Sequence, residues 1–129
     1  MPRRASGRSV KAEDIKWHNW NDQIRGEFDG VRWGSVFNFD ERPSIGLFEI
    51  APGAELPKHH HDAAEVYFVV QGEGYVKVYN VDHALEANTT VFIPADATHV
   101  TVNTGKAPLR ILYTFPFDRF DDVTYHILG

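Results

Sequence analysis

The chain has no cysteine among its 129 residues, which excludes disulfides, thiolate metal sites and cysteine nucleophiles together. No apolar run approaches the roughly 20 residues a membrane helix needs, and the N-terminus lacks the apolar stretch of a signal peptide. A soluble, cytoplasmic protein with no membrane partner is therefore expected. Positive charge is scarce as well. The formal net charge is −5, and four of the 13 basic side chains (Arg3, Arg4, Arg8 and Lys11) fall in the first eleven residues, leaving nine to face 18 acidic ones. An acidic body argues against nucleic acid as a partner, because phosphate binding needs a basic face. Residues 1–11 are expected to form a flexible basic arm, and residues 12–129, apolar and aromatic enough for one packed core, a single domain.

The most informative stretch runs from Gly53 to Gly72, GAELPKHHHDAAEVYFVVQG. If residues 59–61 are extended, His59 and His61 share a face because strand side chains alternate, and His60 points outward to solvent. A second extended piece starting near Glu65 puts Glu65, Tyr67 and Val69 on one face. The carboxylate can then join the two imidazoles around one ion, with Tyr67 just behind it. A fourth ligand is expected at His99, which opens the alternating run HVTVN. A lone histidine is more often a surface or satisfied core residue. Four donors at this spacing are seldom a coincidence.

The remaining chain is punctuated by turns. Trp17, Trp20 and Ile24 within Ala12 to Asp29 have the spacing of a short amphipathic helix that packs its tryptophans over the core. Val31 to Phe39 alternates as a strand, and Ile45 to Ala51 is apolar on both faces, as a covered strand would be. Glu65 to Gln71 and Tyr75 to Tyr79 are expected to form a hairpin through Gly72-Glu73-Gly74. Thr89 to Pro94, His99 to Asn103 and Leu109 to Phe117 complete eight or nine short strands. This is the pattern of an all-β barrel or double-sheet jelly roll. Val66, Phe68 and Val70 make a second apolar face that a neighbouring sheet or a homodimer partner would cover.

Gly53, His59, His61, Glu65 and Gly72 match the first motif of the cupin superfamily, G(x)5HxH(x)3E(x)6G, at every fixed position. The second, G(x)5PxG(x)2H(x)3N, falls on Asn88, Pro94, Asp96, His99 and Asn103, with both glycines replaced. Asn and Asp tolerate left-handed backbone best among the other residues, so the turns are expected to survive. The resemblance implies a cupin double-stranded β-helix, here with a short N-terminal helical segment, and one divalent transition metal ion on His59, His61, Glu65 and His99. Iron, manganese, nickel, zinc and copper all suit such donors.

A narrower resemblance is to the small cupin-type dimethylsulfoniopropionate lyases, carried by GVRW at 30–33, AEVY at 64–67 and FPFDRFDDVTY at 115–125. It implies a small organic acid substrate bound to the metal through its carboxylate, with Tyr67 and Tyr125 at the positions of that family's two active-site tyrosines. Either phenol could be the base, and Tyr67 could equally be a core tyrosine. Aromatic faces from among Trp33, Tyr113 and Phe115 could hold a sulfonium by cation–π attraction. Two other functions use the same ligands: a non-haem iron or copper dioxygenase, and a noncatalytic cupin that binds a sugar or small acid.

Overall fold

The computed structural model describes residues 7–22, 26–37, 43–116 and 125–127. The described chain contains eleven strands: β1 (His18–Asp22), β2 (Gly26–Phe37), β3 (Ser44–Ile50), β4 (Glu55–His61), β5 (Glu65–Gln71), β6 (Glu73–Val78), β7 (Val81–Glu86), β8 (Thr90–Ile93), β9 (His99–Asn103), β10 (Leu109–Phe115) and β11 (Tyr125–Ile127). They form two antiparallel sheets, a six-stranded one in the order β1-β2-β3-β10-β5-β8 and a five-stranded one in the order β11-β4-β9-β6-β7. Inward-facing Phe48, Ile50, Val69, Val76, Ile93, Leu109 and Ile111 fill the space between them, all at most 5% exposed. The alternation of apolar and polar positions along β10 is the cause, since it gives the strand one apolar face for the interior, whereas β9 turns His99, Thr101 and Asn103 inward.

The helical reading of Ala12 to Asp29 is corrected. Among the described residues of this stretch only Ala12–Asp14 is helical, as one 3-10 turn, and strands β1 and β2 follow; Ile24 lies outside the described residues. The three-residue spacing of Trp17 and Trp20 admits a period-two reading too: Trp17 lies outside the sheet and Trp20 inside it. Pairing with β2 at His18↔Trp33 and Asn19↔Arg32 decides the matter.

The expected hairpin at Gly72-Glu73-Gly74 is also corrected. β5 pairs with β10 and β8, whereas β6 pairs with β7 and β9. Gly72 is instead a corner between the sheets. Its φ of +92° is left-handed, and a Cβ there would lie 2.7 Å from the Pro108 carbonyl oxygen. Asn88 and Asp96 do adopt left-handed backbone, at φ 73° and 62°, in place of the motif's glycines.

The N-terminal segment packs on the outer face of β2: Ile15 is buried against Gly34, where a Cβ would sit 3.0 Å from Ile15 Cδ1. Val70 and Phe92, outward on β5 and β8, stay exposed. The outer face also carries an ionic row. Glu49 accepts hydrogen bonds from Arg32 Nε and Nη2 at 2.9 and 2.6 Å and from Arg110 Nε at 2.6 Å. Burial alone would raise the Glu49 carboxyl, but the two guanidinium partners outweigh it and hold it below its ordinary 4.5.

A carboxyl depressed on folding contributes stability that is present above the unfolded value and is lost as pH falls through the folded one. Glu49→Gln is therefore expected to lower stability by about 1.5–3 kcal/mol at neutral pH, the usual range for charge-assisted hydrogen bonds. In thermal melts the gap from wild type should narrow as pH drops below 4.5. A gap that stayed constant into acid would assign the effect to packing.

Candidate metal centre

His59 and His61 alternate on β4 with His60 between them, and β9 brings His99 directly opposite His59 in register. β5 presents Glu65 from the facing sheet. The three histidines offer nitrogens that all lie within 4.8 Å of one another. Glu65 Oε1 is 3.1 Å from His61 Nε2 and 3.7 Å from His99 Nε2. All four side chains are buried. His60 takes the outward position, half-buried and 3.8 Å from Asp96.

The hydrogen bonds behind the rings select the tautomer. Nδ1 of His59, His61 and His99 lies 2.7, 2.7 and 2.9 Å from the carbonyl oxygens of Pro57, Ala63 and Ala97, each two residues away. A carbonyl only accepts, so each Nδ1 carries a proton and donates it. In the neutral ring, Nε2 then offers its lone pair to the centre. His99 Nε2 is buried and makes no hydrogen bond. Such an atom has a cost unless it has a partner such as a cation.

Charge in the cluster fits the same use. Burial, followed by the neighbouring His99, pushes His59 down to about 3, so it is neutral and able to ligate at physiological pH. Burial would also lower His61, but its hydrogen bond to Glu65 prevails and raises it. Burial would raise Glu65, and the hydrogen bond of His61 together with the nearby His99 imidazole prevails to lower it. Three imidazoles and one carboxylate are borderline donors that suit a first-row divalent ion.

Beside the cluster opens a small cleft lined by Trp20, Trp33, Phe48, Leu56, His59, Glu65, Tyr67 and Tyr113. Trp33, Tyr67 and Tyr113 thus lie where the sequence places them. Phe115 does not line the cleft; its ring packs edge-on against His61 at 5.2 Å, behind the ligand. Tyr125 is directly opposite His61 in the β11–β4 pairing, and its side chain is outside the described residues. Trp20, Phe48 and Leu56 were not anticipated as lining residues. A period-two reading of HNWND would have turned Trp20 inward, whereas nothing local marks Phe48 or Leu56 as more than core.

Tyr67 is fully buried, and its hydroxyl is 3.0 Å from Thr101 Oγ1. Burial and then the charge of Glu65 raise its phenol well above 10, against the opposing effect of Thr101. Tyr113 is raised by the same two causes, with Ser35 opposing.

Comparison with known proteins agrees with this geometry. Residues 46–115 match the Cupin domain family. The chain is 32% identical over 121 residues to dimethylsulfoniopropionate lyase DddW of Ruegeria pomeroyi, covering 91% of this chain and 77% of that protein. It is also 32% identical over 88 residues to auxin-binding protein 1 of Arabidopsis thaliana, of which it covers 44%. A solved structure of the DMSP lyases RdDddP and RnDddQII superposes with a TM-score of 0.75 at 20% identity, covering 89% of this chain and 63% of that one, a likeness of fold. With both motifs, the two-sheet topology and the clustered histidines in agreement, the chain belongs to the cupin family.

Proposed function

We propose that this protein is a metal-dependent lyase that removes a β-substituent from a small carboxylate, with dimethylsulfoniopropionate or a close analogue as substrate. The observation that carries this reading is a cleft whose lining joins His59 and Glu65 of the metal cluster to the aromatic side chains of Trp33, Phe48 and Tyr113. The similarity to a named lyase over most of both chains supports it. Fold alone would not, since cupins host many reactions.

A divalent ion on His59, His61, Glu65 and His99 would polarise a bound carboxylate and acidify the proton alpha to it. The residues of the chain supply the rest. The aromatic faces hold the sulfonium by cation–π attraction of about 0.5–2 kcal/mol, and Phe115 backs His61. Tyr67 or Tyr125 takes the α-proton on its phenolic oxygen. The Cα–Cβ double bond forms as the C–S bond breaks, and dimethyl sulfide leaves with the bonding pair, so acrylate and a neutral phenol remain. Glu65 disfavours the Tyr67 phenolate, so Tyr67 can serve as base only where nearby positive charge offsets that carboxylate. The same reading has the protein work as a homodimer joined through the outer strip that exposes Val70 and Phe92.

Product stoichiometry under an oxygen electrode separates the reaction classes. Equal amounts of acrylate and dimethyl sulfide with no oxygen uptake are expected. Oxygen consumed in step with turnover would make the protein a dioxygenase, and carboxylate binding without product would make it a binding protein.

A further inference from the structure

The cleft owes one wall to a segment outside both cupin motifs. Trp20 is buried, lines the cleft and has its ring centroid 6.1 Å from that of His59. It sits on β1, an edge strand whose neighbour among the described strands is β2, within Asn19 to Asn21 where the register shifts.

The other side of the sheet fastens the same segment. Arg32, Glu49 and Arg110 are direct cross-strand neighbours, in one row across β2, β3 and β10. Trp17 lies over this row, its ring centroid 4.1 Å from the Arg32 guanidinium carbon and 5.6 Å from that of Arg110. Glu49 orients both guanidiniums. The segment from Trp17 to Trp20 is thus fastened outside by a cation–π stack and contributes its other end to the interior.

We infer that Trp20 is a selectivity-determining wall of the cleft and that the Trp17–Arg32–Glu49–Arg110 stack is the clasp that positions it. The inference rests on the reading of the cleft as a site for a carboxylate with a cationic tail. Trp20 adds a π face that favours a cationic tail over an uncharged one of the same shape. The clasp residues touch no ligand; they fix how closely that face approaches.

The test is calorimetric titration of the full-length zinc-loaded protein with three carboxylates: acetate, trimethylammoniopropionate, and the counterpart in which an uncharged tert-butyl group replaces the ammonium. Wild type is expected to prefer the cationic probe over its counterpart on the order of tenfold. Trp20→Leu should cut that ratio at least about threefold, with acetate, which has no tail, measuring any general loss at the metal. Trp17→Ala should lower the ratio in the same direction and Trp17→Phe should restore it, which simple loss of stability would not do. A wild-type ratio near one would remove the cationic-tail reading and the inference with it. A wild-type preference left unchanged by Trp20→Leu would overturn the inference alone. An unchanged ratio in Trp17→Ala would overturn the clasp, and equal loss of all three ligands in either variant would show general support of the site rather than selectivity.

Discussion

The His99→Ala protein is expected to lose its metal. His99 enters from β9, opposite His59, and its Nε2 is buried without a hydrogen-bond partner. Removing it takes one of four donors from a buried cluster. It also frees the Ala97 carbonyl that holds the ring and takes away one of the imidazoles beside Glu65. Loss of a mere supporting hydrogen bond around a metal costs roughly 10- to 100-fold in affinity, and loss of a ligand should exceed that, by more than about 100-fold. Elemental analysis after dialysis should show near-stoichiometric metal in wild type and almost none in His99→Ala. His60→Ala should retain it, because His60 points outward to Asp96. Full metal in His99→Ala would remove that residue from the ligand set.

Tyr125→Phe should keep the metal and lose elimination activity by about 10²- to 10⁴-fold, the range that a positioned general base contributes. β11 pairs Tyr125 with His61, at the metal end of the sheet. Tyr67 is the competing base, and its circumstances differ. Its hydroxyl is engaged by Thr101 and it lies two residues beyond Glu65, whose charge opposes deprotonation. If Tyr125→Phe turned over at the wild-type rate while Tyr67→Phe failed, the proton would go to Tyr67. The decisive quantity is kcat at unchanged KM and unchanged metal content. A joint change in KM would point to lost substrate binding.

The site was legible where chemistry needs fixed residue types at fixed offsets. His59, His61, Glu65 and His99 could be read from alternation within strands, and the structure brings all four together. Asn88 and Asp96 were legible because few residues tolerate left-handed backbone. Pairing between distant strands was not. Gly72 has the chemistry of a tight turn, yet the contact with Pro108, 36 residues away in sequence, makes it a corner. The hydrophobic spacing of Trp17 and Trp20 fits two periods, and only the edge of β2 chooses between them. β7 escaped notice because it turns only Leu85 inward, so its sequence VDHALE carries almost no apolar signal. Phe115 shares the inward face of β10 with Tyr113, as alternation predicts, but its ring packs against His61 and not along the cleft.

A metal held by these four residues is expected to drive β-elimination without oxygen. The most direct measurement is headspace dimethyl sulfide from protein reconstituted separately with iron, manganese, nickel, zinc and copper, given dimethylsulfoniopropionate in the absence of reductant. Release with at least one metal, abolished by chelator and by His99→Ala, is the predicted result. No release with any metal, from protein that demonstrably binds one, would contradict it.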